Sequence, residues 1–322
     1  MTDNPAKHQL PKVDFSRSDL SPGSASWDSV RGDVVAAFEG YGCFEAVFDR
    51  LFDRELHASL FRNVKELFEL PEETKRRFAD TERPYDGYIT NLHFAPGYQA
   101  MGIGGVLDSP TIRNFTDLMW PNGNAEFCEI VQSYSSKASE LEKMVKRMIL
   151  EGLHLPVEKY RDGIINKTSY FLRIMKYDAL KEGGTEEVGG INHRDSNFMT
   201  ILRQEGAVNG LEVKAKDGQW IRATPSASSF IVILGDAIHG WSNGRLYSPV
   251  HRVVMRETRA RHSIGLFSTM KGVIRCPEEL VNEQHPLLFK PFEEIDLVRY
   301  HRILETEEGW ELESTLKARY LG

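Results

Sequence analysis

The sequence predicts an α+β fold with a mainly β core: a double-stranded β-helix, or jelly roll, flanked by N-terminal helices and a C-terminal helical tail. Two patterns predict it. Before about residue 165, the strongly periodic stretches place apolar residues three and four positions apart, the spacing of a helix with one buried face. After it, apolar residues fall into short alternating runs separated by Gly, Asn and Asp, the regular spacing of a sandwich or jelly roll.

Residues 1–10 are polar and are expected to be a disordered tail. Residues 11–125 form an N-terminal region. Within it, 11–15 open a strand, and 16–26, rich in Ser, Pro and Gly, read as a loop. Residues 27–39 are helical, with Val30, Val34, Val35 and Phe38 in period, and Gly40 and Gly42 end the helix. Residues 43–48 make a short strand. Residues 53–70 make a second amphipathic helix with Leu56, Leu60, Val64 and Phe68 on one face. Pro71 begins a polar turn rich in Lys and Arg, and 80–125 hold aromatics and glycines without a steady period, which reads as mostly irregular. The segment 126–165 carries the strongest helix, 127–152, whose stripe is Val131, Tyr134, Ala138, Leu141, Val145 and Met148. The core, 166–270, has strands at 169–177, 199–204, 211–214, 220–222, 229–234, 252–254 and 263–268. The tail, 271–322, reads as helical at 286–300 and 310–320, and its helix is placed to act as a lid.

Composition excludes several classes. Of 322 residues, 41% are hydrophobic, enough for a sizeable core. The net charge of −7 gives no electrostatic reason to bind nucleic acid or an anionic membrane. No apolar run reaches membrane-spanning length and no secretory h-region opens the chain, so a cytoplasmic location is expected. Cys43, Cys128 and Cys276 lie far apart without a C-x-x-C pair, which points to free thiols rather than a zinc site. The absence of internal repeats and long heptads makes a monomer the expectation.

The chemistry concentrates in the strand-rich half. In Asn192-His193-Arg194-Asp195, residues two apart on an extended backbone point the same way, so His193 and Asp195 present an imidazole and a carboxylate to one point. His251, 58 residues on, supplies a third ligand. Two histidines and a carboxylate make the facial triad of non-haem Fe(II) oxygenases, which leaves three octahedral positions for a bidentate co-substrate and dioxygen. Alone, H-x-D is also what a surface His beside a solvated Asp looks like. Asp236 and His239 form a second candidate pair, at a spacing that suits a helix. Arg261 and Ser263 follow His251 and share a strand face, and a guanidinium is suited to grip a carboxylate. By itself Arg261 reads as a surface salt bridge; after H-x-D and a distal His it reads as a co-substrate anchor.

This order, H-x-D, distal His, R-x-S, resembles the plant 2-oxoglutarate- and Fe(II)-dependent dioxygenase superfamily that contains flavonoid, gibberellin and alkaloid oxygenases. Leu234-Gly235-Asp236, Trp241-Ser242-Asn243-Gly244-Arg245, Pro277-Glu278-Glu279-Leu280 through His285-Pro286, and Gly42-Cys43-Phe44 resemble further signatures, over about residues 11–300. The similarity is greatest to the glucosinolate-type, AOP-like branch. The resemblance implies that His193, Asp195 and His251 bind Fe(II), and that Arg261, Ser263 and Tyr177 hold 2-oxoglutarate. It also implies that O2 and a small-molecule substrate complete the reaction, with succinate and CO2 as co-products. Met175 stands where many members have Asn. Asp195 disfavours halogenation, which needs a small residue there. Phe267, on the face of Ser263, heads the substrate-pocket candidates, followed by Phe94, Tyr98 and Phe115 from the aromatic-rich stretch, whose other reading is ordinary packing. The alternatives are a non-catalytic small-molecule-binding protein on the same fold and a cupin-like metalloenzyme without 2-oxoglutarate, which would not need Arg261 and Ser263.

Overall fold

The computed structural model describes residues 9–49, 52–79, 86–93, 95–181, 184, 186–190, 192–206, 208–305 and 320. Residues 1–8 of the expected disordered tail (1–10) and all but Tyr320 of the expected final helix lie outside the described residues, and Leu10 is corrected: it is buried in an apolar cluster.

The N-terminal elements are β1 (Lys12–Asp14), α1 (Ala25–Gly40), β2 (Cys43–Val47), α2 (Arg54–Glu69), α3 (Glu72–Arg76), β3 (Gly87–Leu92), β4 (Ala95–Gly104) and α4 (Ser109–Met119). The long helix α5 (Ala125–Gly152), α6 (Val157–Arg161) and a π-helical turn at Asp162–Asn166 follow. Side-chain caps explain where the main helices begin. Ser24, Asp53 and Asn124 each accept the backbone N–H three residues on, at 3.1, 2.9 and 3.0 Å.

Two expectations in this half are corrected. The stretch 80–125 is not irregular where described: it holds β3, β4 and α4. The glycines and Pro96 in these strands hide the two-residue alternation, and the strand state comes from pairing, since β4 is hydrogen-bonded to β3 on one side and β5 on the other. The polar turn after Pro71 contains a short helix, α3, with Glu72 and Glu73 in its first turn and Lys75 and Arg76 in its last.

The core strands are β5 (Thr168–Tyr177), β6 (Glu187–Val188), β7 (Met199–Gln204), β8 (Leu211–Lys214), β9 (Trp220–Arg222), β10 (Ser229–Leu234), β11 (His251–Met255) and β12 (Arg261–Met270), with the short helix α7 (Asp236–Trp241) after β10. Every core strand predicted from the sequence is present. The tail adds β13 (Val273–Ile274), β14 (Phe292–Glu293) and α8 (Glu294–Glu305), so its helix starts later than predicted. One sheet runs β1-β2-β10-β7-β12-β5-β4-β3, antiparallel except for β1 with β2; the facing sheet runs β6-β11-β8-β9. This is the predicted jelly roll.

The large sheet separates two apolar clusters. On β5, Tyr170, Leu172 and Ile174 join the cluster that includes α1, α2, α4 and α5, whereas Met175 and Tyr177 join a second cluster with β8 and β11 residues. On β10, Phe230, Val232 and Leu234 face the helices, and Ile231 and Ile233 face inward. The helical side is pinned by polar groups. Tyr134 of α5 is fully buried, and its hydroxyl lies 2.9 Å from the Ile201 carbonyl and 3.0 Å from that of Ile264, bridging β7 and β12. Lys146 and Glu142 form a buried pair at 2.5 Å, with Thr168 and Tyr170 as their hydrogen-bond partners. Glu294, at the start of α8, accepts the Met270 N–H at 2.9 Å, and burial pushes its carboxyl up to about 8.

Two outcomes follow from this packing. Tyr134→Phe removes the single O–H donor that the two buried carbonyls share and is expected to cost ~1–2 kcal/mol of unfolding free energy, read from the denaturant midpoint. Glu294 keeps its proton in the folded chain at pH values where an unfolded Glu has lost it. Its contribution to stability is therefore full below the unfolded pKa and is lost as pH rises toward 8. Glu294→Gln is expected to lose less thermal stability than the wild type between pH 5.5 and 8.5, with the two melting curves compared at each pH.

Candidate metal and co-substrate site

Backbone pairing creates the cluster that the H-x-D spacing began. His193 and His251 form an isolated antiparallel bridge, with N–H to carbonyl distances of 3.0 and 2.8 Å in the two directions. Their rings stand 4.2 Å apart, centroid to centroid. Asp195 Oδ1 lies 3.8 Å from His193 Nε2 and 3.6 Å from His251 Nε2. One ligand atom from each of the three falls within 4.8 Å of the others. Asp236 and His239 join no such group among the described residues. They lie on α7, where the His239 Nδ1–H donates to the Leu246 carbonyl at 2.6 Å.

The surroundings orient these ligand atoms. Thr200 donates to Asp195 Oδ2 at 2.6 Å, which leaves Oδ1 toward the histidines, and Asn197 donates to Thr200 at 3.2 Å. The His251 Nδ1–H faces the Pro249 carbonyl at 3.3 Å, so Nε2 carries the lone pair. Burial, and then the neighbouring His193, lower the His251 pKa to about 4, which keeps its imidazole neutral as a ligand must be. The guanidinium of the intervening Arg194 stands 5.4 Å from the Tyr247 ring.

Gly235 seats the Asp195 turn. A Cβ at Gly235 would lie 2.0 Å from the Asn197 carbonyl oxygen and 2.8 Å from that of Asp195. The close approach lets the Asp236 N–H reach the Asp195 carbonyl at 2.7 Å. The neighbouring Asn243 and Arg245 act as tail clamps. Asn243 holds the Pro286 carbonyl and the Leu288 N–H, and Arg245 donates to the Leu280 carbonyl.

A cavity of about 1360 Å³ opens over the cluster and is also lined by Tyr98, Tyr177, Arg261, Ser263 and Phe267. Arg261 is 1% exposed. Its guanidinium donates to Ser263 Oγ at 3.1 Å and to Gln204 Oε1 at 3.0 Å, with the Tyr177 ring 5.2 Å away. Among the described residues no carboxylate pairs with it, and its Nε has no hydrogen-bond partner. A buried cation with neutral neighbours calls for an anion. Burial raises the Tyr177 pKa, so its phenol stays protonated; it points to Met175 Sδ at 4.0 Å. The sulfur accepts weakly and donates nothing. The donor set fits a facial-triad metal, and the guanidinium beside it fits the far carboxylate of a dicarboxylate co-substrate.

Of the predicted pocket aromatics, Tyr98 and Phe267 line the cavity, and Phe94 lies outside the described residues. Phe115 is corrected: it does not line the cavity but packs in the helical core against Phe78 and Phe127, at 4.8 and 5.8 Å. Its place on α4, unseen in the sequence, turns it inward. Ile295 and Val298 near the start of α8 border the cavity, where the sequence put a lid. Thr200, Gln204 and Asn197 went unnoticed in the sequence. The signal available for the first two was alternation on β7, which puts Thr200, Leu202 and Gln204 on one face.

The 2OG-Fe(II) oxygenase superfamily profile matches residues 169–269, and the profile of the N-terminal region of the non-haem dioxygenase in morphine synthesis matches residues 10–100. The probable 2-oxoglutarate-dependent dioxygenase AOP1.2 of Arabidopsis thaliana is 42% identical over 318 residues, covering 96% of this chain and 95% of the relative. The 2-oxoglutarate-dependent dioxygenase AOP3 of the same plant is 31% identical, covering 96% and 97%. The crystal structure of the rice dioxygenase for auxin oxidation superposes with a TM-score of 0.79 at 26% identity, over 97% of this chain and all of that one. The Arabidopsis dioxygenase for auxin oxidation 1, solved as a complex with 2-oxoglutarate, gives 0.75 at 27%, over 86% and all of it. Among the described residues no helix is long and apolar enough to cross a membrane. With the triad geometry, the jelly roll and relatives matched along nearly the whole chain, the protein belongs to the plant 2-oxoglutarate- and Fe(II)-dependent dioxygenases, among the AOP-like enzymes, and works with Fe(II), 2-oxoglutarate and O2.

Proposed function

We propose that His193, Asp195 and His251 bind the iron, that Arg261, Ser263 and Tyr177 hold 2-oxoglutarate, and that the enzyme oxidises a small plant specialised metabolite or hormone by hydroxylation, desaturation or demethylation. The observation that carries the site assignment is Arg261: a fully buried guanidinium that has only neutral partners among the described residues, in the cavity that the triad lines. The rice relative named for auxin oxidation supports a small organic substrate, as does the size of the cavity.

When bound, iron, 2-oxoglutarate and dioxygen supply the oxidising power, with 2-oxoglutarate ending as succinate and CO2. The chain supplies position. Neutral His251 and the Thr200-oriented Asp195 offer lone pairs to one side of the metal. Arg261 takes the far carboxylate of the co-substrate, with Ser263 as a second donor. Gln204 is itself held by its Nε2 donating to Asn209 at 2.7 Å, which keeps its Oε1 on the Arg261 guanidinium. Tyr177 offers a protonated phenol from the strand paired with Arg261.

Anaerobic addition of Fe(II) and 2-oxoglutarate is expected to produce the weak visible charge-transfer band of the chelate. His193→Ala is expected to abolish it. Arg261→Ala is expected to raise the 2-oxoglutarate needed by at least about thirtyfold, the equivalent of ~2 kcal/mol for a truncated buried charge pair. Iron binding without a band in the wild type would rule the reading out. Thr200→Val keeps the shape and removes the donor to Asp195. It is expected to weaken Fe(II) binding by ~10–100-fold in a competition titration, and unchanged affinity would show that Asp195 needs no such support.

A further inference from the structure

The cavity reaches a buried carboxyl that the metal and co-substrate site does not use. Glu294 opens α8, is 3% exposed and lines the cavity with Ile295 and Val298. Its Oε2 accepts the Met270 N–H at 2.9 Å. Among the described residues its other oxygen, Oε1, takes no hydrogen bond, and no cation pairs with the carboxyl. The charged and titratable groups beneath it belong to α5 and β5 and are engaged with one another. Lys146, whose field reaches Glu294, is held by Glu142 at 2.5 Å and donates to Thr168 at 2.8 Å, and Tyr170 donates to Glu142 at 2.7 Å. Lys143, Lys271 and Glu293, which border the same end of the cavity, are exposed. With one backbone N–H and no counter-ion, a buried carboxyl holds its proton, and burial pushes this one up to about 8. Because Oε2 is the acceptor, the proton belongs on Oε1, where it makes a hydrogen-bond donor.

We propose that Glu294 is a specificity-determining residue that donates a hydrogen bond to a neutral oxygen acceptor of the substrate, a carbonyl or hydroxyl oxygen set apart from the carbon that is oxidised. This rests on the reading of the cavity as a 2-oxoglutarate oxygenase site. The sheet register sets the separation. Thr200, which orients Asp195, is in register with Phe267 of β12, and Met270, which holds Glu294, is three residues farther along the same strand. At ~3.3 Å per residue that is ~10 Å, the span of a fused-ring body. Ile295 and Val298 flank the acid on α8 and offer no competing side-chain hydrogen bond. A charged group is a worse match at this point. An ammonium has no lone pair to accept the O–H, and an anion meets no cation and a carboxyl that becomes a like charge once its proton is lost.

The test uses the full chain loaded with Fe(II) and 2-oxoglutarate without air. Calorimetry measures the binding of 2-acetylnaphthalene and 4-phenyl-2-butanone, each against the hydrocarbon with CH2 in place of the carbonyl, 2-ethylnaphthalene and butylbenzene. Protonated 1-(2-naphthyl)ethylamine is the cationic probe, and the chelate band is followed in the same samples. At neutral pH the ketone is expected to bind about five- to tenfold more tightly than its hydrocarbon in one or both pairs, the worth of one hydrogen bond. That preference is full at lower pH and falls as pH rises through about 8, where the O–H is lost. Glu294→Gln, which turns an amide N–H to the ligand and a carbonyl to Met270, keeps the preference on both sides of that pH. Glu294→Leu loses it, and the chelate band is unchanged in both variants. Four results would overturn the proposal while the band leaves the oxygenase reading intact: ketones bound no more tightly than hydrocarbons, a wild-type preference that ignores pH, a preference that survives in Glu294→Leu, or the ammonium bound more tightly than the ketone. If Glu294→Leu does not fold, the pH response of the wild type against Glu294→Gln decides. Absence of the band in the wild type would overturn the underlying reading and the proposal with it.

Discussion

Side chains alternate across a strand, and in the central strands of the large sheet that alternation must satisfy two environments at once. One face of β5, β7, β10 and β12 packs on the helices and has to be apolar; the other encloses the cavity and has to carry chemistry. A one-residue slip of β12 would exchange Arg261 and Ser263 with His262 and Ile264 and place a guanidinium in the helical core. Apolar packing on one face thereby fixes the register of polar groups on the other. Tyr134 strengthens the link from the helical side, because its hydroxyl bridges the carbonyls of two adjacent strands that both carry cavity residues.

The site is assembled by backbone and held by neutral hydrogen bonds. The bridge between His193 and His251 brings two ligands together without any side-chain attraction, and Gly235 lets the turn after β10 lie directly on the Asp195 carbonyl. Thr200 and Gln204 then orient a carboxylate and a guanidinium that line one cavity. Among the described residues the buried Arg261 guanidinium meets only neutral groups, an arrangement that the proposed co-substrate carboxylate would stabilise. The motif residues Trp241 to Arg245 serve this arrangement from outside the cavity, tying the tail at Leu280, Pro286 and Leu288 to the loop after α7.

Much of this was legible in the sequence. The core strands from β7 to β10 fall where short alternating runs predicted them, and the triad followed from H-x-D and a distal His, since a two-residue step on extended backbone aims both ligands at one point. Strands β3 and β4 were not legible, because their glycines carry no side chain to alternate, and Phe115 was misread with them. Thr200 and Gln204 look like ordinary strand residues, and only the fold reveals what they face.

The sequence by itself determined the jelly-roll class, the residue types of the triad and the presence of an arginine and a serine on one strand face, because each depends on local spacing and on the chemistry of single residues. Tertiary structure alone decided the partner of each group. His251 reaches His193 through a bridge spanning 58 residues, and Arg261 is left with neutral neighbours among the described residues. These are long-range pairings, set by how strands from distant parts of the chain come into register, and no local pattern encodes a neighbour that arrives from elsewhere.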